Sequence, residues 1–276
     1  MSCPRRAPLR SFAGTGTPAE GDSAGCGGER GTGWGRFAPS PSGELHLGNL
    51  RTALLAWLFA RTSGRRIALR IEDLDERTSP VHARSQMADL AALGLTFDGP
   101  VVWQSARRDR YRAAVDELRG RGLVYPCFCS RREILDAPRA PHAPPGAYPG
   151  TCRRLTSARI GERMSTKAPA WRLAADGGAG DGADGAPRVS VEDAILGRIT
   201  APVDDFVVLR GDGVPAYNLA VVVDDGEGGI DQVVRGDDLA SSAPRQRYLG
   251  QLLGYPPATY AHVPLALGPS GARLAK

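Results

Sequence analysis

The chain has 276 residues, 42% of them hydrophobic and 24% charged, enough to bury a sizeable core as one large domain or two modest ones. No stretch approaches the ~20 uninterrupted apolar residues that span a bilayer, and the start lacks a signal peptide's apolar middle, so a soluble cytoplasmic protein is expected. The net charge of +5 is uneven: residues 105–172 carry 15 Arg or Lys against 6 Asp or Glu, a local +9 that leaves the rest at −4. A basic middle suits a polyanionic partner such as nucleic acid. A solvated arginine-rich face is the alternative, because Lys167 and Lys276 are the only lysines.

Residues 1–33 are rich in Gly, Ala, Ser, Thr and Pro without apolar periodicity, which predicts a disordered extension. Its "GTGWG" precedes the first predicted strand and so lacks the strand-then-loop order of a phosphate-binding glycine loop. "GRFAPS" predicts a short strand entering a proline-stiffened turn. Residues 47–62 predict a helix with Leu47, Leu50, Leu54, Trp57 and Leu58 on its apolar face. "RRIALRIEDLD" predicts a second strand ending in carboxylates, and a helix follows around 80–93. Strand, helix, strand, helix is the grammar of a parallel sheet.

From 126 to 190 the pattern breaks. Prolines crowd "DAPRAPHAPPGAYPG", and "DGGAGDGADGAP" at 176–187 reads as a flexible loop. "DDFVVLRGDGVPAY" predicts a strand and turn, and "LAVVVDD" at 219–225 a buried strand. "PRQRYLGQLLG" predicts a helix with Tyr248, Leu249, Leu252 and Leu253 on its apolar face. The whole reads as one α/β domain whose halves, 34–125 and 201–276, are interrupted by an arm at 126–200, with no internal repeat.

Five cysteines, Cys3, Cys26, Cys127, Cys129 and Cys152, are too sparse and odd in number for a disulfide framework. Three of them cluster within 26 residues, and thiolates at Cys127, Cys129 and Cys152 suit a metal such as zinc. Buried free cysteines are the alternative. In "GELHLGN", His46 stands ahead of a predicted helix whose N-terminal N–H groups favour phosphate. Gly48 removes a side chain that would block a nucleotide, although a structural histidine fits these residues alone equally well.

"RFAPSPSGELHLGNLRTAL" resembles the first signature of class I aminoacyl-tRNA synthetases in its glutamyl form, with "HLGN" where that class has His-Ile-Gly-His. "LRIEDLDERTS", "AYNLAVVVDD", "VVRGDDL" and "PRQRYLGQLLGYPPATYAHVPL" carry the resemblance over nearly everything from Arg36 onward. Within that branch the chain is similar to the glutamyl-queuosine tRNA(Asp) synthetase family, which lacks the helical anticodon-binding region. Val221, where discriminating glutamyl-tRNA synthetases tend to carry Asn, sharpens that likeness.

The resemblance implies a Rossmann-like parallel-sheet catalytic domain with an inserted zinc-binding subdomain of tRNA acceptor-arm type. It implies ATP-dependent activation of L-glutamate, with Mg2+ accompanying the ATP, and transfer of glutamate to the queuosine base of tRNA(Asp). Arg36, Phe37, Ala38, Pro39, Ser40, Glu72, Tyr217 and Arg235 match the glutamate-binding positions. Arg36 and Arg235 suit carboxylates through their planar forks, Tyr217 supplies a directional hydrogen bond, and Glu72 suits the amino group. A strand-end cap is the alternative for Glu72, core-edge packing for Tyr217 and a surface ion pair for Arg235. Alternation sends Glu72 and Asp73 to opposite faces, which argues against a metal cluster in "EDLD".

His46, Gly48 and Asn49 match the ATP-binding positions, and "GARLAK" resembles the mobile Lys-Met-Ser-Lys-Ser loop, with Arg273 and Ala275 substituted and Lys276 at the ATP-binding position. The implied structural zinc ligands are Cys127, Cys129, Tyr148 and Cys152, with water or His142 competing with Tyr148. Lys276 is the last residue given, and its carboxylate would oppose a phosphate clamp. Two other readings therefore stay open beside the queuosine-directed one: a catalytic fragment of a glutamyl-tRNA synthetase, or a tRNA- or nucleotide-binding relative with impaired catalysis. Nothing demands an oligomer, and a monomer is expected.

Overall fold

Alternating short apolar runs and capped helices build two sheets. The structure is a computed structural model describing residues 33–136, 148–175, 186–268 and 271. Expectations on Cys3, Cys26, His142, Arg273, Ala275 and Lys276, and on 1–32 and 176–185, lie outside the described residues. In chain order the elements are β1 Trp34–Phe37, α1 Leu47–Thr62, β2 Arg66–Ile71, α2 Pro80–Ala92, β3 Val102–Trp103, α3 Arg108–Gly120 and β4 Val124–Cys127. Then follow α4 Arg131–Asp136, α5 Ser157–Met164, β5 Ala170–Leu173, β6 Arg188–Asp193, β7 Gly197–Pro202 and β8 Val207–Leu209. The last are α6 Tyr217–Glu227, β9 Ile230–Gly236, α7 Ala243–Leu252 and β10 Thr259–Val263.

The large sheet has the order β3-β2-β1-β9-β10-β6-β7, and all its pairings are parallel except β6 with β7. β1 lies at its switch point: the chain leaves β1 for β2 on one side and returns as β9 on the other. In open α/β sheets the crevice beyond the strand C-termini at such a point is where ligands bind. A small antiparallel sheet, β4-β5-β8, stands apart, so the stretch 126–200 contributes strands to both sheets. Among the described residues no helix is long and apolar enough to cross a membrane.

The helix predicted at 47–62 is α1, but its buried face is not the leucine face. Ala53, Ala56 and Ala60 are buried, while Leu47 is 70% and Leu54 44% exposed, and Leu58 is also exposed. Close approach of a helix to a sheet favours small side chains, and here those are alanines packing near Ile67, Leu69 and Val234. The run at 219–225, predicted as a strand, lies in helix α6. Leu219 through Asp224 are all buried, so the helix is apolar on nearly every side and its periodicity vanishes. α6 packs with Tyr111, Val115 and Leu118 of α3 and Leu249 of α7 in the largest core cluster.

Burying α6 also buries Asp224, which becomes a hub. It accepts from Gln104 Nε2 at 2.8 Å, Arg107 Nε at 2.7 Å and the Tyr111 hydroxyl at 3.0 Å, and Arg70 Nε lies 3.7 Å away. Removing one partner of a buried ion pair strands the others, at a typical cost of about 3–5 kcal/mol. Asp224→Ala is therefore expected to lower the urea unfolding free energy by about that amount. A loss below about 1 kcal/mol, the size of an exposed pair, would show that the hub is not buried in solution.

Candidate active site

Arg36, on β1, is buried; its Nη1 donates to the Val234 carbonyl at 3.1 Å and its Nε lies 3.5 Å from Asp225 Oδ1. Arg70, on β2, donates through Nη1 to Asp225 Oδ1 at 2.5 Å and through Nη2 to Glu72 Oε1 at 3.3 Å. Burial lowers the pKa of Arg36 and raises that of Glu72, the latter against the pull of Arg70 and Arg36. Burial also opposes ionisation of Asp225, yet Arg70 and Arg36 hold that carboxyl below its usual range. Two cations and two carboxylates thus alternate beneath the sheet's C-terminal edge.

That edge opens into a cavity of about 360 Å³. Arg36, Phe37, Ala38, Pro39 and Ser40 line it from β1 and the turn after it, and Glu72 lines it from the end of β2. Tyr217 enters from the start of α6 and Arg235 from β9. His46, Gly48 and Asn49 line it from the mouth of α1. Lys276 lies outside the described residues.

The turn is held from below. Pro39 and Pro41 carbonyls accept from the N–H groups of Glu72 and Ser79, and the Gln86 amide donates to the carbonyls of Ser40 at 3.1 Å and Gly43 at 2.7 Å. His46 caps α1: its Nδ1 accepts from the Gly48 N–H at 3.0 Å, while Asn49 Oδ1 accepts from the His46 N–H at 3.3 Å. An accepting Nδ1 places the neutral ring's hydrogen on Nε2, which is then a donor. A Cβ at residue 48 would sit 2.8 Å from His46 Cε1, so only glycine admits this cap.

Arg235 is buried. Its Nη1 donates to Gln246 Oε1 at 2.8 Å and to the Tyr217 hydroxyl at 3.4 Å. Arg70, Asp225, Gln86 and Gln246 were not singled out in the sequence. Only the paired acids of "VVVDD" hint at Asp225, and nothing marks Arg70 or the glutamines.

Cys127, Cys129 and Cys152 bring their sulfurs within 4.8 Å of one another and could hold a metal ion. Cys129 and Cys152 Sγ are 3.5 Å apart, and the Tyr148 hydroxyl is 3.3 Å from Cys127 Sγ and 3.5 Å from Cys129 Sγ. Burial pushes the Cys129 thiol up to about 11. A tetrahedral zinc with Zn–S bonds of about 2.3 Å separates its sulfurs by about 3.8 Å, so the donor set and spacing fit that ion.

Residues 34–276 match the family described as tRNA synthetases class I (E and Q), catalytic domain. The glutamyl-Q tRNA(Asp) synthetase of Nocardia farcinica is 60% identical over 245 residues, covering 88% of this chain and 76% of that protein. The glutamyl-Q tRNA(Asp) synthetase of Symbiobacterium thermophilum is 48% identical, covering 88% of this chain and 77% of its own length. The solved glutamate tRNA ligase of Elizabethkingia meningosepticum, in complex with its amino acid, superposes with a TM-score of 0.73 at 28% identity. That match covers 89% of this chain and 52% of the ligase, so the chain spans about half the length of that structure. The mostly parallel sheet, the capped signature turn at its switch point and these likenesses agree: the chain belongs to the class I aminoacyl-tRNA synthetases, ligase-type enzymes, in the glutamyl-Q tRNA(Asp) synthetase family.

Proposed function

We propose that this chain activates L-glutamate with ATP and transfers the glutamyl group to the queuosine base of tRNA(Asp). The observation that carries the reading is a single cavity lined by two buried arginines, the half-buried Glu72 and a helix mouth. The names of the relatives point the same way.

Arg36 and Arg235 would hold the two carboxylates of glutamate, Tyr217 would donate a hydrogen bond, and Glu72 would face the ammonium. The α-carboxylate attacks the α-phosphorus of ATP, giving glutamyl-adenylate and pyrophosphate, and a hydroxyl of the tRNA base then displaces AMP. His46 Nε2–H and the positive end of the α1 dipole would stabilise charge on the phosphate, and Asn49 fixes the histidine by completing the cap. Mg2+ would accompany ATP and offset phosphate charge. Phe37, Ala38, Pro39 and Ser40 shape the glutamate side of the cavity, Gly48 the nucleotide side, and Lys276 is assigned to ATP by resemblance.

Cys127, Cys129, Tyr148 and Cys152 would hold a structural Zn2+ that ties the proline-rich arm together. The arm's arginines would meet tRNA phosphates without reading bases. Because the metal is structural, Cys129→Ser is expected to lower bound zinc, measured by elemental analysis. It should also reduce transfer to tRNA more than glutamate-dependent pyrophosphate exchange; equal loss of both would sink a role confined to the arm.

Exchange of labelled pyrophosphate into ATP should depend on glutamate, and His46→Ala should slow it by about 10²-fold, as loss of a preorganised transition-state donor does. The cap lost with it is worth about 1 kcal/mol, too little to unfold the chain. Unchanged exchange would remove His46 from the reaction. Queuosine-containing tRNA(Asp) should accept glutamate while queuosine-lacking tRNA(Asp) should not. Equal charging of both, or charging of tRNA(Glu), would favour the glutamyl-tRNA synthetase reading that the Elizabethkingia likeness also permits.

A further inference from the structure

The reaction above assigns no role to the buried pair Asp193 and His262, which leads to Arg235. Asp193 closes β6, His262 lies in β10 and Arg235 in β9, three adjacent parallel strands. His262 pairs in register with Arg235, and its ring is fully buried. Asp193 Oδ2 is 2.5 Å from His262 Nδ1 and also accepts the His262 backbone N–H at 3.1 Å. Asp193 Oδ1 accepts from the N–H groups of Ile195 and Leu196 at 2.9 and 2.8 Å. On the far side of the ring, His262 Nε2 accepts from Arg235 Nε at 3.0 Å.

An Arg Nε–H can only donate, so Nε2 must carry the lone pair and Nδ1 the hydrogen. Burial keeps the ring neutral, against the pull of Asp193. Tyr260 stacks on the ring at 5.6 Å between centroids and 5° between planes, while the Arg235 guanidinium lies over Tyr260 at 5.4 Å.

With Nε tied to His262, the side-on edge of Arg235 is closed to a ligand. Nη1 serves Gln246 and Tyr217, and Nη2 donates to the Leu239 carbonyl at 3.3 Å. An incoming carboxylate can therefore meet Arg235 only at its far end, beside the Tyr217 hydroxyl.

We infer that Asp193 and His262 are positioning residues that fix the orientation of Arg235 and so set how the substrate's carboxylate is gripped. The inference rests on the proposed glutamate site. His262→Leu removes the acceptor and should raise the glutamate KM in pyrophosphate exchange on the order of 10-fold, the loss of one hydrogen bond to a charged group. The ATP KM and kcat should stay within about 2-fold, because the loss falls on glutamate binding. His262→Gln, whose amide oxygen can accept from Arg235 while its NH2 donates to Asp193, should restore most of the affinity.

Long-range 1H–15N spectra of histidine-labelled protein should show His262 as the Nδ1–H tautomer. Asp193→Asn, which weakens the acceptor that holds the ring, should raise the glutamate KM in the same direction as His262→Leu; an unchanged KM would remove Asp193 from the positioning role. An Nε2–H ring in the unmodified chain overturns the inference. An unchanged glutamate KM in His262→Leu, with a raised one in Arg235→Lys, overturns it as well. If Arg235→Lys leaves the glutamate KM unchanged while the Nδ1–H tautomer is present, the glutamate assignment of Arg235 is what fails, and the positioning role falls with it.

Discussion

Pairing of buried arginines by two adjacent carboxylates is the constraint on which the rest of the structure depends. A guanidinium cannot shed its charge, so Arg36 and Arg70, both nearly fully buried, need acceptors in place before any ligand arrives. Asp225 serves both, and Asp224 serves Arg70 together with Arg107 and Tyr111. Adjacent residues point about 100° apart on a helix but to opposite faces on a strand. Because this segment is helical, both acids can reach Arg70 on β2 while Asp224 also meets Tyr111 of α3 and Asp225 also meets Arg36 of β1. The apolar turn before the acids sinks the pair, and the pair in turn fixes the guanidinium that lines the cavity.

The signature turn answers a second constraint, that a proline-rich loop has few N–H groups of its own to anchor it. It is held through its carbonyls instead, by the N–H groups of Glu72 and Ser79 and by the buried amide of Gln86. His46 then closes the gap between turn and helix by capping α1 with its own ring. One side chain thereby stabilises the helix, fixes its own tautomer and places a donor at the cavity.

Much of this was legible in the sequence because local rules and tertiary demands agreed. "HLGN" before an apolar-periodic run marks the start of α1, and "RRIALRI" reads as a strand because it is β2. Legibility failed where burial erased periodicity. α6 carries "AVVV" inside a core on nearly all sides, and three β-branched residues in a short apolar run look like a strand. The facing of α1 failed for a different reason. Hydrophobicity ranks Leu54 and Leu58 above Ala53, Ala56 and Ala60, but contact with a sheet selects for close approach. The Asp193–His262–Arg235 row was invisible because its first two members lie 69 residues apart and only the parallel register brings them together.

The cysteine cluster belongs to the same economy of charge. Arg172, on β5, donates through Nε to Cys127 Sγ at 3.3 Å, covers the Tyr148 ring at 3.8 Å and donates through Nη1 to the Asp205 carbonyl at 2.8 Å. Asp205 in turn accepts from the Tyr125 hydroxyl at 2.6 Å and the Ala175 N–H at 2.8 Å. Val124, Leu173 and Val208 of the small sheet join the largest core cluster, and these polar bonds converge on Arg172 and Asp205 beside the cysteines. Three thiolates around a divalent ion would leave one net negative charge inside the protein, and the Arg172 guanidinium is already beside it. Arg172 bonds the Cys127 sulfur, stacks on the Tyr148 ring and ties both to the segment entering β8, so it would orient these donors for an ion, as outer-shell partners of metal ligands do.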